Sequence, residues 1–182
     1  MRTLPILALL LSAAACTTAM PPDNRFTVDY RFTGFSTEID RSGAAEDSEV
    51  TAWRGTYEFL PFGGNANLAL SYVLREDQGD VSRSTIETDL LLLQVRFYYE
   101  LLDRARWYVA PGIGYVLSQS DSTNASFDEG FAWEAETGLV WALDESWGLS
   151  ASLNWSLLPA DSTAGNADLT GFGVAAGIYL DF

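Results

Sequence analysis

From residue 26 to the C-terminus, apolar and polar residues alternate at period two in runs of about ten, and no segment sustains a helical period. Eight such runs predict eight strands: 26–36, about 50–60, 67–75, about 85–100, 107–118, 130–143, 147–157 and 169–182. The last is the cleanest. Phe172, Val174, Ala176, Ile178, Leu180 and Phe182 share one face, and Gly171, Gly173, Ala175, Gly177, Tyr179 and Asp181 share the other. The run at 85–100 is the least clean, because Leu90 to Leu93 is continuously apolar. Pro111 lies inside the fifth run, where it removes a ladder donor and predicts a local irregularity. Polar stretches at about 37–49, 76–84, 119–129 and 158–168 predict long loops, alternating with short turns at 61–66, 101–106 and 144–146. Short turns on one rim and long loops on the other match a barrel set in an outer membrane.

The ends of the apolar rows carry the aromatics. Tyr57, Phe59, Phe97, Tyr99, Trp107, Trp141 and Trp147 fall at the short-turn rim in an up-and-down meander. Trp53, Tyr115, Trp133, Trp155 and Phe172 fall toward the loop rim, with aliphatic residues between the two sets. Two aromatic girdles bracketing an aliphatic band suit a bilayer, and a soluble core has no reason to sort its aromatics by height. The expected fold is therefore all-β: an eight-stranded antiparallel up-and-down transmembrane β-barrel with a filled polar interior. The polar faces hold Asp29, Glu58, Glu134 and Glu136 together with Arg31, Arg54, Arg75 and Arg96. Equal numbers of each sign predict an interior salt network, since an unpaired buried charge is costly. Eight strands leave an interior just wide enough for its own side chains, so a general diffusion pore is not expected.

Composition sharpens the location more than the activity. A net charge of −15, from 25 acids and 10 bases, sets nucleic acid aside as a partner. Aromatics at 13% argue against a disordered acidic chain. No histidine is present, which removes the commonest general base and the usual partner of a catalytic serine or cysteine. Glu134 and Glu136 lie about 7 Å apart on one strand face, near the separation of paired glycosidase carboxylates, but the four arginines give them a structural role first. Neither catalytic, cofactor nor metal residues are expected.

The first residues form an address. Met1-Arg2-Thr3, an apolar run to Leu11 and the small residues 12–15 make a secretory signal peptide, cleaved after Ala15 or after Ala19. Residues 16–25 then form a short linker, and 26–182 one barrel domain. Cys16, the only cysteine, follows Ala13-Ala14-Ala15 as in a lipoprotein box, although the position three before it is Ala where such boxes carry Leu, Val or Ile. Lipidation of Cys16 and its removal with the signal both stay open.

Tyr108-Val-Ala-Pro-Gly-Ile-Gly-Tyr115, Trp147-Gly-Leu-Ser-Ala-Ser-Leu-Asn-Trp155 and the terminus resemble the small eight-stranded outer-membrane barrels of the OmpA/OmpX and opacity-like type, over residues 26–182. In that family the barrel-assembly machinery reads a terminal signal, which Gly177, Leu180 and Phe182 match while Ala175 departs at the polar position. The resemblance implies a monomer in the bacterial outer membrane, contacting lipid and lipopolysaccharide, with its loops outside. These motifs identify the barrel and not an activity. The expected outer loops are acidic: Glu38, Asp40, Glu46, Asp47 and Glu49 in the first, Glu76, Asp77 and Asp80 in the second, Asp121, Asp128 and Glu129 in the third, Asp161 and Asp168 in the fourth. With such loops and no histidine, the expected role is structural or surface-interacting rather than enzymatic. Two alternatives remain: a narrow channel for a small or apolar solute, and a lipid-anchored soluble barrel of lipocalin type with apolar residues facing in.

Overall fold

The computed structural model describes residues 24–41, 44–61, 65–79, 85–121, 130–159 and 167–182; the signal segment and Cys16 lie outside them. Eight strands follow one another: β1 Arg25–Arg41, β2 Ala44–Pro61, β3 Ala66–Gly79, β4 Thr85–Leu102, β5 Ala105–Asp121, β6 Phe131–Ala142, β7 Trp147–Pro159 and β8 Ala167–Asp181. Each pairs antiparallel with its neighbour in sequence, and β8 pairs back onto β1, closing the barrel. Closure leaves the barrel wall no edge that could template aggregation.

Residue choice along each strand sets which way it faces. Along β3 from Ala69, buried and outward residues alternate without a break, with Leu70, Tyr72 and Leu74 out and Ser71, Val73, Arg75 and Asp77 in. The same alternation puts Val28, Trp53, Leu93, Ile113, Leu139, Leu149, Leu153 and Ile178 outside. A soluble barrel hides its apolar face. Here the apolar face is the outer one, which is the inverse of the lipocalin-type alternative and sets it aside.

Two expectations change. The stretch 37–49 does not form a long loop: β1 runs to Arg41 and β2 starts at Ala44, in register from Thr37↔Ser48 to Arg41↔Ala44. The sequence there is polar on both faces, so period two is invisible, yet backbone pairing to β2 and β8 carries the strands on without an apolar side. Two single-residue irregularities in β1, between Phe32 and Phe35 and between Phe35 and Glu38, add two residues relative to β8. Two extra residues are an even number, so the register parity with β8 is regained from Glu38↔Thr170 onward. At Pro111 the ladder to β4 lapses between the Gln94↔Gly112 and Phe97↔Val109 pairs without a register shift, while pairing to β6 is unbroken. The shifts in that pair of strands lie at Leu117, extra between Asp89↔Ser118 and Leu90↔Val116, and at Leu101, extra between Glu100↔Arg106 and Leu102↔Ala105.

Candidate functional site

The inward residues stack in three layers. At mid-height, Arg54 on β2 donates to Asp29 (Nε to Oδ2, 2.9 Å), to Glu134 (3.1 Å) and to both oxygens of Glu136. Arg31 donates to Glu134 at 3.0 Å. Arg96 donates to Glu58 at 2.9 Å and lies 3.7 Å from Glu136. Gln94 donates its amide to Glu136 at 3.2 Å. All these side chains are buried. The network joins three guanidinium groups to four carboxylates, and the hydroxyls of Tyr98 (to Glu58, 2.6 Å) and Tyr108 (to Glu136) supply further donors. Charges taken out of water need this density of partners to offset their desolvation.

Toward the short turns, tyrosines replace the charges. Tyr98, Tyr108 and Tyr179 are buried around Ala110 and Val140. Arg25 lies among them, its guanidinium 4.0 Å from the Tyr179 ring centroid and held by both oxygens of Asp181 at 2.6 and 2.8 Å. Arg25 also donates to the Tyr98 hydroxyl at 3.3 Å, which connects the rim to Glu58 and the central network.

Toward the loops the interior turns apolar. One inward step from Arg54 is Ala52, from Glu134 Ala132, and from Ser156 Leu158. These join Val73, Ile86, Leu90, Val116 and Leu169 in one buried cluster. Arg75 belongs to this end of the barrel. It forms a bidentate pair with Asp77 at 2.7 Å for both bonds, and donates to Ser156 at 2.8 Å.

Of the eight residues expected in a salt network, the structure brings Asp29, Arg31, Arg54, Glu58, Arg96, Glu134 and Glu136 into one connected set and leaves Arg75 in a separate pair. Arg25, Gln94, Tyr98, Tyr108 and Asp181 were not expected among these residues, and Asp77, expected in an outer loop, is instead buried inside on β3 beside Arg75. Their signal was present, since Gln94, Tyr98 and Asp181 sit at polar-face parity, while starting the first strand at Phe26 hid Arg25.

Small residues make this packing possible. Gly138 stands directly across from Tyr108, and a Cβ there would lie 2.7 Å from the Tyr108 ring. Gly148 faces Tyr179 in the same way on β7. Each tyrosine lies over a glycine in the neighbouring strand, covering exposed backbone with ring. Gly177 is opposite Asp29 across the closing seam, and a Cβ there would meet the Val28 carbonyl at 2.4 Å. The seam's close approach needs glycine at that position, independently of any terminal signal. Leu180 and Phe182 are exposed on the outer wall, and Phe182 stacks near Tyr57 with ring centroids 6.3 Å apart.

The aromatic residues fall in two sets by strand position. Toward the short turns Tyr57 stacks on Phe59, Trp141 and Trp147 are exposed, and Phe97 is half-buried. Toward the loops Trp53 packs on Tyr30, Tyr115 on Phe131, and Trp133, Trp155 and Phe172 are exposed. Tyr99 departs from the expected pattern: it is buried, with its ring 5.1 Å from that of Trp107. Among the described residues no group of carboxylates or other ligating side chains could hold a metal ion.

This closed, eight-stranded, inverted barrel has clear structural counterparts. The fold is that of the small outer-membrane β-barrels. Neisserial surface protein A aligns with a TM-score of 0.69 at 10% identity, over 88% of this chain and 97% of that one. OprG from Pseudomonas aeruginosa aligns at 0.59 and 11%, over 92% and 99%. Ail, the attachment invasion locus protein of Yersinia pestis, solved with the heparin analogue sucrose octasulfate, aligns at 0.51 and 12%, over 88% and 99%. No family model matches the chain, and no curated protein matches it by sequence. What these barrels share with the chain is the fold.

Proposed function

We propose that this chain is a non-enzymatic, integral component of the bacterial outer membrane whose barrel is occluded and whose role is structural or surface-interacting, exercised through acidic loops facing outward. The observation that carries this reading is the layering of the lumen. An ionic layer fixed by Arg54 and Arg96 is covered on the loop side by Val73, Leu90, Val116 and Leu158 and on the turn side by Tyr98, Tyr108 and Tyr179. An ion entering from the loop side would meet an apolar cluster and an Arg75–Asp77 pair already closed on itself, so shedding its water there would cost several kcal/mol. The carboxylates that could do acid–base chemistry are each held by arginine, and the chain has no histidine.

The apolar exterior supports residence in a membrane, with outer-membrane lipid and lipopolysaccharide as neighbours and the barrel-assembly machinery as a partner during biogenesis. Export through the cleaved signal peptide belongs to the same reading. A sulfated polyanion of the kind bound to Ail suits this chain poorly, since 25 acids oppose 10 bases. Purified protein in planar bilayers is expected to show no steady open state; a steady ohmic conductance of the intact protein would overturn the occluded lumen and favour the narrow channel. Heat-modifiable gel mobility and resistance to carbonate extraction test membrane residence separately.

A further inference from the structure

The outer wall is not uniformly convex. A trough of about 490 Å³ crosses the outside of β5 to β8, and its lining is almost wholly apolar. It follows the line of cross-strand partners Val109↔Thr137↔Leu153↔Val174 and the adjacent line Trp107↔Leu139↔Ala151. Its floor is low because the outward residue between Leu139 and Ala176 in the cross-strand line is only Ala151.

We infer that this trough is a seat for one acyl chain of a phospholipid of the periplasmic leaflet, an inference that rests on the membrane reading above. Three features support that occupant. Leu101, exposed in the β4–β5 turn region, lies at one end of the trough, so the trough opens toward the short-turn rim, where headgroups of that leaflet would lie. The one side-chain hydroxyl facing outward in the lining is already satisfied: Thr137 accepts from Trp107 Nε1 at 2.7 Å and donates to the Tyr108 carbonyl at 3.0 Å. A polar ligand would therefore find no free partner there, whereas a hydrocarbon chain needs none. The wall is also rigid before anything binds. Trp107 is clamped between that hydrogen bond and the Tyr99 ring, which orients the indole as a side of the trough rather than leaving its N–H in interfacial water. A pre-formed wall loses little freedom on binding, so a bound chain exchanges more slowly than bulk lipid.

The test uses the full mature protein reconstituted into nanodiscs of phosphatidylethanolamine and phosphatidylglycerol, then released into mild detergent and weighed by native mass spectrometry. A phospholipid-bound species is expected to persist. Ala151→Phe fills the floor and is expected to lower the bound fraction about tenfold, the signature of a lost site. Thr137→Val frees the indole and is expected to lower it about threefold through lost preorganisation. Heat-modifiable mobility shows whether each variant is folded, and Val174→Trp narrows the trough from its other end if Ala151→Phe does not fold. Equal lipid retention in the wild-type protein and the folded variants would overturn the proposal. So would a dimer mass in the wild type that Ala151→Phe abolishes, since a second copy would then be the occupant. Failure of the wild-type protein to insert at all would instead defeat the membrane reading, and is seen before any lipid is counted.

Discussion

Arg54 shows how much one side chain carries in this lumen. Among the described residues it alone touches Asp29, Glu134 and Glu136 together. Replacing it with Met would take from Asp29 the arginine that holds it and leave Glu134 to Arg31 and Glu136 to Arg96, and removing one partner from such a network costs about 3–5 kcal/mol. Arg54→Met is therefore expected to lower the urea midpoint of the refolded barrel strongly. Adding Asp29→Asn and Glu136→Gln should restore most of the loss, because the penalty comes from stranded charge and not from lost attraction. At Gly138 the constraint is steric. Gly138→Val would push the Tyr108 ring away from Glu136, and an overpacked site of this kind costs about 1–3 kcal/mol; the same denaturation assay measures it, and an unchanged midpoint would contradict the described packing.

At the scale of the strand, the pattern is plain where the outer face is apolar and vanishes toward the loop rim. Strand β3 continues past Arg75 to Gly79, and β4 begins at Thr85, so the outward residues there are acids instead of leucines. Glu76 and Glu87 are placed directly opposite each other. Like charges in that position destabilise a pair of strands, by about 0.2–1 kcal/mol. Glu87→Gln is accordingly expected to raise the stability of the barrel by a few tenths of a kcal/mol in low salt, with the gain shrinking as salt rises; a stability loss on that substitution would mean the two carboxylates are held by something other than each other. The length of β1 has the same origin. Its outer residues pair because β2 and β8 are beside them, a reason that no local pattern displays.

For the whole molecule the decisive event is closure. Strands β1 and β8 lie at opposite ends of the chain, and their register sets Arg25 against Asp181 and Asp29 against Gly177. The bidentate Arg25–Asp181 pair therefore ties the first strand to the last at the short-turn rim. Phe182 lies just beyond this pair, is 68% exposed and packs only loosely on Tyr57. A side chain so placed contributes little to the closed barrel, and its apolar ring is free to be read before closure. Phe182→Ala is expected to slow insertion and lower outer-membrane levels while changing the unfolding free energy by less than about 1 kcal/mol. Normal membrane levels of that variant would count against a terminal assembly signal.

What the sequence by itself determined is what repeats locally: eight strands, the face each turns outward, and an interior able to balance its charges. Period-two alternation and aromatic placement are properties of neighbouring residues, so they are readable without a fold. Only the tertiary structure decided which arginine meets which carboxylate, because Arg54 and Glu136 are brought together across the lumen and not along a strand. It also decided that Arg75 turns to its own strand neighbour Asp77, that Tyr99 is buried against Trp107, and that Gly138 makes room for the Tyr108 ring in the lumen. Each of these depends on strand register and barrel curvature, and both are set by closure of the complete sheet.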